Sequence, residues 1–496
     1  MIKNFKWLLL ASLSFVACDN NDDEDSNQVE VPVTSGSASF TKYVALGDSF
    51  AAGYSDSALF KAGQENSYVN ILAQQFVAAG GGDFKTPMMA DNIGGLLLNG
   101  NVIAGPRLAI LGLSVAGSPI VGSVSGVPTT EVLDHQVGPF NNLGVPGAKS
   151  YHLVAPGYGS VAGVVSGKSN PYFARFATSA TTTVLADALV QAPTFFSLFI
   201  GGNDVLTYAT SGGVGVDQTG NLDPSTYGTN DITDPNVFAS VYSSLVTNLT
   251  ANGAKGVVAN LPYITTLPYF TTVPYNPVPL DATTADQLNA GYAQYNAGLQ
   301  AMVQNKLLSA EEATQRTIKF TAGNNAVVIV DSYLTDLSAY KLPSYRQVTK
   351  EDLVVLTART FIGTTVGGDA TKINGVSVPL ADQWILTKEE VKSVMVATDA
   401  YNKTIASIAE AKGLAVADTK TAMEQLALTG IRFGNYQMTA SYATGGAFSL
   451  DGIHPTPRGY AFIANLFIKA INAKFGATVK DVDLAQYQSL FPASMQ

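Results

Sequence analysis

The chain alternates short apolar runs with longer stretches of helical spacing, and that alternation narrows the folds open to it. Lys42-Tyr43-Val44-Ala45-Leu46 stops at Gly47, residues 194–200 read as a second buried strand, and Gly256-Val257-Val258-Ala259-Asn260 and residues 414–418 repeat the pattern. Runs of this length without polar alternation read as strands buried on both faces. Between them, Tyr68, Ile71, Leu72 and Phe76 share one helical face before Gly80-Gly81-Gly82. Asp234-Pro235 caps and opens a helix carrying Phe238, Val241, Tyr242, Leu245 and Leu249. Residues 282–308 and 388–412 are helical in spacing, 326–330 read as an extra strand, and Pro457 opens a last helix with Ile463, Leu466, Phe467 and Ile471 inward. Strands alternating with helices predict an α/β fold, a parallel central sheet with helices on both faces. Sites in such sheets form at the C-terminal strand ends.

Gly47-Asp48-Ser49 ends the first strand at the expected start of a helix. A serine hydroxyl needs a base to become a nucleophile, and a helix N-terminus offers free N–H groups to a developing oxyanion. The chain has three histidines. His454 lies in Asp451-Gly452-Ile453-His454-Pro455, just before the last helix, so a carboxylate three residues upstream can reach one ring nitrogen and fix its tautomer. The other nitrogen is left for the Ser49 proton. His135 and His152 read as ordinary surface or core residues. No Gly-x-Ser-x-Gly elbow occurs, so the usual α/β-hydrolase nucleophile motif is absent.

Tyr43-Val44-Ala45-Leu46-Gly47-Asp48-Ser49 resembles the first signature block of the GDSL (SGNH) serine ester hydrolases, and Asp451-x-x-His454-Pro455 resembles their last. Asn142-Leu143-Gly144-Val145-Pro146-Gly147 and Gly201-Gly202-Asn203-Asp204 resemble the two intermediate blocks, in family order. The resemblance implies an SGNH-hydrolase-like, flavodoxin-like three-layer α/β/α fold. It implies Ser49 as nucleophile, His454 as general base and then acid, and Asp451 as the group that orients His454. The N–H groups of Ser49 and Gly147 and the Asn203 side chain would form the oxyanion hole. The sequence gives no reason to expect a metal or an organic cofactor. The chain departs from compact members in two large insertions, at about 85–135 and 310–385, which separate the blocks.

Hydrophobic residues make up 46% of the chain and charged residues 13%, as in a folded protein. Six of the 38 acidic residues fall within the first 30 positions, so the body is only mildly acidic and has no electrostatic footprint for nucleic acid. Lys3 and Lys6 precede a short apolar stretch at 7–17, well below the roughly 20 residues that span a bilayer. Ala17-Cys18 resembles the end of a bacterial lipoprotein signal, with Cys18 as the lipidated residue. Cys18 is the sole cysteine, which excludes an intramolecular disulfide and a multi-thiolate metal site. The acidic run 19–25 reads as a self-repelling tether and resembles the export signals of Bacteroidetes surface lipoproteins. The expected organisation is a signal peptide at 1–17, a flexible acidic tether at 18–39, a catalytic domain at 40–480 and a tail at 481–496. A lipid anchor at Cys18 would place the protein on the bacterial outer membrane.

Residues 92–127 carry a single charge, Arg107. Short strands and turns packed on the core account for such a segment; an apolar wall over an acyl site is the functional alternative. Leu261-Pro262-Tyr263 through Pro274-Tyr275 reads either as a stiff loop packed by its own rings or as a platform beside Ser49. The expected activity is serine-dependent hydrolysis of carboxylic esters, acyl lipids or O-acylated glycans, through an acyl-enzyme. The same residues would serve acyl transfer to a sugar hydroxyl. A catalytically silent glycan- or lipid-binding lipoprotein is the non-enzymatic alternative, although no residue of the four blocks is missing.

Overall fold

Five strands make the central sheet: β1 (Tyr43–Gly47), β2 (Asn142–Gly144), β3 (Phe195–Phe199), β4 (Lys255–Ala259) and β5 (Ala415–Ala417). Their order is β5-β4-β3-β1-β2 and every neighbouring pair is parallel. This is the flavodoxin-like order, which changes direction between β1 and β3 and leaves a crevice at their C-terminal ends. The computed structural model describes residues 32–495 apart from Ala116. Cys18, the signal-like segment and the acidic run lie outside the described residues.

β1 and β3 are buried at every position; the one polar side chain of β3, Ser197, is satisfied by the Tyr43 hydroxyl of β1 at 2.7 Å. Gly47 ends β1 hard against β3: a Cβ there would sit 2.6 Å from the Phe199 carbonyl oxygen. The β2 edge has no apolar signature. Asparagine side chains fix it instead, Asn141 donating to the Tyr43 carbonyl and Asn142 to the Ala51 carbonyl, both at 3.0 Å. The extra strand read at 326–330 does form over Val328–Val330, but in a separate antiparallel ribbon with Tyr345–Gln347 rather than in the main sheet.

The flanking helices are α1 (Ser49–Ala52), α2 (Tyr68–Val77), α3 (Asn203–Thr210), α4 (Pro235–Thr250), α5 (Lys388–Lys412) and α6 (Pro457–Phe475). α2 and α6 pack together on one face, α4 and α5 on the other. Asp234 caps α4 by accepting from the Asn236 and Val237 N–H groups at 2.7 and 3.0 Å. A Thr387–Glu390 capping box starts α5 and left-handed Gly413 ends it.

The first insertion is two antiparallel hairpins, Leu96–Leu98 with Asn101–Ala104 and Leu108–Leu113 with Pro119–Ser123. Leu96 and Ala109 are buried, whereas Leu111, Leu113 and Ile120 are 54%, 67% and 47% exposed, so core packing accounts for only one side of this segment. The second insertion holds small antiparallel ribbons around Arg346, buried between Asp331 at 2.5 Å and Asp352 at 2.7 Å.

Both ends of the expected catalytic domain need moving outward. Within the segment read as tether, Ser37 donates its N–H to the Phe475 carbonyl at 2.8 Å and Thr34 accepts from the Thr478 N–H at 3.0 Å. The segment read as a tail is also bonded into the body. Asn465 exchanges two hydrogen bonds with the Val482 backbone, Phe491 packs on Phe60, and Arg107 donates to the Pro492 carbonyl at 2.6 Å. Paired backbone, not composition, decides where the folded body begins and ends. Among the described residues no helix is long and apolar enough to cross a membrane.

Candidate active site

Ser49 opens α1 directly after β1. Asp48 caps that helix, its carboxylate accepting from the Phe50 N–H at 3.0 Å, and left-handed Gly53 ends it after a single turn. The short helix leaves the Ser49 hydroxyl at the C-terminal edge of the sheet. There His454 Nε2 lies 2.9 Å from Ser49 Oγ, and His454 Nδ1 lies 2.8 Å from Asp451 Oδ2. The imidazole is flanked by the rings of Tyr54 and Phe50, with centroids at 4.6 and 5.6 Å, and its side chain is 13% exposed.

Asp451 is held by more than His454. Its Oδ1 accepts from the Ser449 hydroxyl at 3.0 Å and from the Ile453 and His454 N–H groups at 2.9 and 2.8 Å, while Oδ2 accepts from the Ser57 N–H at 2.9 Å. Burial alone would push this carboxyl up, but the neighbouring His454 and the backbone donors outweigh it and hold the group at about 2. Asp48 behaves oppositely: burial dominates its single cap bond and raises it to about 7.

Gly147 follows β2 with φ +79°, a left-handed conformation suited to glycine, and a Cβ there would meet only open space. Among the described residues neither the Ser49 nor the Gly147 N–H has a hydrogen-bond acceptor. Asn203 opens α3 after β3, and its amide donates to the Ala148 carbonyl at 3.0 Å. An amide nitrogen carries two hydrogens, so one remains for a ligand. Asp204, buried, accepts from the Ser150 N–H and hydroxyl at 2.8 and 2.7 Å and so ties the Gly147 loop to the end of β3.

Ser49, Gly147, Asn203, Asp451 and His454 all line one cavity of about 1000 Å³. All five residues singled out from the sequence are therefore brought together. The insertions supply much of the wall, Leu108, Ile120 and Val121 from the first and Leu356 and Arg359 from the second. Of the 261–275 loop, Tyr269 reaches the cavity, while Tyr263 stacks beneath Lys420 at 4.3 Å. His152 is where an ordinary structural histidine would be, accepting from the Lys149 N–H at 3.0 Å and stacked on Tyr158. His135 is exposed.

Sequence reasoning missed the staple behind Asp451. Asp56 and Ser57 both adopt left-handed φ, 50° and 65°, which is uncommon for residues with side chains. Asp56 accepts from the Leu450 N–H at 2.9 Å and its own N–H donates to the Ser449 hydroxyl at 3.0 Å. Ser57 lies 394 residues before Asp451, so no local pattern could have paired them.

The cavity lies at the switch point of a flavodoxin-like parallel sheet, in a chain with no Gly-x-Ser-x-Gly elbow. Residues 43–467 match the GDSL-like Lipase/Acylhydrolase family, and the chain belongs to that family. Its members hydrolyse acyl esters. No curated protein matches the chain. Among solved structures it is similar to LAE5, an alpha/beta hydrolase enzyme from the metagenome of Lake Arreo, Spain, at 11% identity and a TM-score of 0.32 over 88% of this chain and 96% of that one. A mutant of Axe2, an acetyl-xylooligosaccharide esterase from Geobacillus stearothermophilus, is similar at 11% identity and a TM-score of 0.30, again over 88% and 96% of the two chains.

Proposed function

We propose that the protein hydrolyses carboxylic esters through an acyl-enzyme formed on Ser49. The observation that carries this reading is the hydrogen-bonded series from Ser49 Oγ through both His454 nitrogens to Asp451, at 2.9 and 2.8 Å. His454 takes the Ser49 proton as the hydroxyl attacks the ester carbonyl, and returns it to the leaving alcohol. Asp451, ionised and fully occupied by donors, fixes the imidazole with one nitrogen toward Ser49 and stabilises the imidazolium. The Ser49 and Gly147 N–H groups and the Asn203 amide receive the oxyanion. Water then attacks the acyl-enzyme, with His454 again as base, and releases the acid.

The apolar wall supports esters of acyl chains longer than acetate. The lipoprotein-like start of the chain supports a lipid anchor at Cys18 on the outer membrane; loss of fatty-acid labelling in Cys18→Ser would bear that out. The mechanism is tested by fluorophosphonate labelling together with release of acid from ester panels. Wild type is expected to label and turn over, and Ser49→Ala to do neither. Labelling that persists in Ser49→Ala sinks the nucleophile assignment.

A further inference from the structure

The cavity at Ser49 does not end at its apolar wall. A second cavity of about 720 Å³ adjoins it, and the two share Pro119, Arg359 and Tyr442. Their linings differ in chemistry. The Ser49 side is walled by Leu108, Ile120, Val121, Leu206 and Leu356. The second is rich in hydroxyls and has one side-chain amide, with Thr266, Thr272, Thr429, Gln437, Thr439 and Ser441 among its lining. No aspartate or glutamate lines it, and its one charged residue is Arg359, at the junction.

Arg359 is exposed and has no ion-pair partner among the described residues. The four buried arginines all have acceptors: Arg346 is locked between two carboxylates, Arg316 is paired with Glu312, and Arg107 and Arg175 donate to backbone carbonyls. A guanidinium left without an anion at the mouth of a hydroxyl-lined groove is a binding group with five donors and no acceptor in place. We propose that the substrate is an ester of a polyhydroxylated alcohol that carries an anionic group. The acyl chain lies along the apolar wall at Ser49, the hydroxyls of the alcohol lie in the second groove, and Arg359 receives its phosphate or carboxylate.

This inference rests on the ester-hydrolase reading and deepens it to a substrate class. The Thr266, Thr272 and Thr429 hydroxyls donate to backbone carbonyls and keep lone pairs that accept from a polyol, and a charge-assisted bond to Arg359 selects the anion. The leaving alcohol departs toward the polar groove, where it is solvated by the same groups. Arg359 acts on binding and takes no part in proton transfer.

The test uses the full chain and five substrates: p-nitrophenyl butyrate, and the monobutyryl esters of glycerol, glycerol 3-phosphate, glucose and glucuronic acid. Wild type is expected to favour at least one anionic ester over its neutral counterpart by about tenfold or more in kcat/KM. The phosphate and carboxylate arms show which anion the site takes. In Arg359→Gln that preference falls to within about threefold, and Arg359→Lys restores part of it, since a lysine keeps the charge but not the fork. Glycerol 3-phosphate, added as a competitor against p-nitrophenyl butyrate, should inhibit wild type more strongly than Arg359→Gln. Turnover of p-nitrophenyl butyrate with no anionic preference, or with a preference that Arg359→Gln retains, overturns this inference and leaves the ester-hydrolase reading standing. A wild type that turns over none of the five overturns both.

Discussion

Asp451 grips His454 at two points, one carboxylate oxygen accepting the His454 backbone N–H and the other facing its Nδ1, each at 2.8 Å. The first bond closes a turn that the three-residue spacing makes natural, and the second uses that turn to orient the ring. An amide in place of the carboxylate would present two hydrogens to a site already filled by donors. Asp451→Asn is therefore expected to lower kcat by about 10²- to 10⁴-fold, by leaving the imidazole in the wrong tautomer or orientation. Steady-state kinetics beside a thermal melt check this. A kcat within about tenfold of wild type would remove Asp451 from the mechanism.

The two acids of the site have opposite linkage to pH. Asp451 is held at about 2, below the usual carboxylate range, so its contribution to stability is present above pH 4 and fades as pH falls toward 2. Asp48 is raised by burial to about 7, so its contribution is complete below pH 4 and is lost as pH rises through 7. Asn keeps the cap on α1 and cannot ionise. Asp48→Asn is thus expected to gain in Tm over wild type as the buffer moves from pH 5 to pH 8.5. Melting curves at the two pH values decide it; a constant or shrinking difference would mean that Asp48 stays ionised in the fold.

Much of this arrangement is legible in the order of the residues alone. Strands β1, β3, β4 and β5 show as short, mainly apolar runs, and α4 announces itself by Asp234-Pro235 and a single apolar face. Ser49 and Asn203 stand out because each opens a helix just after a strand, and Gly147, Asp451 and His454 because they lie in the loops that follow β2 and precede α6. What stays hidden depends on long-range pairing. β2 is fixed by asparagine side chains rather than by apolar residues, and the Asp56–Ser57 staple meets Asp451 across most of the chain. The hairpins of the first insertion are apolar enough to resemble core, and only their pairing shows which face turns toward Ser49.

Asn203 has one hydrogen bond that the fold needs and one donor left for chemistry. Its bond to the Ala148 carbonyl holds the amide in place at the start of α3. Asn203→Ala should remove an oxyanion donor and cost about 2.7–4 kcal/mol of barrier, a drop of 10²- to 10³-fold in kcat. KM should move by less than about threefold, because the ground-state carbonyl binds this donor weakly. Initial-rate kinetics separate the two constants. A variant that loses binding while keeping kcat would place Asn203 in ground-state recognition instead.

The Leu108–Leu113/Pro119–Ser123 hairpin turns Leu108, Ile120 and Val121 toward Ser49 while leaving Leu111 and Leu113 in solvent. If that inner face receives the acyl chain, each added methylene buried against it is worth up to about 0.8 kcal/mol, or roughly fourfold in kcat/KM. On p-nitrophenyl esters from acetate to octanoate, kcat/KM should climb with chain length until the wall is covered. Replacing Ile120 and Val121 together by Ser is expected to flatten that climb to less than about twofold per methylene, because the wall then keeps its water. Ile120 is 47% exposed, so the double variant should fold, and an unchanged melt would show that it does. A folded variant with the wild-type slope would show that the acyl chain lies elsewhere in the cavity.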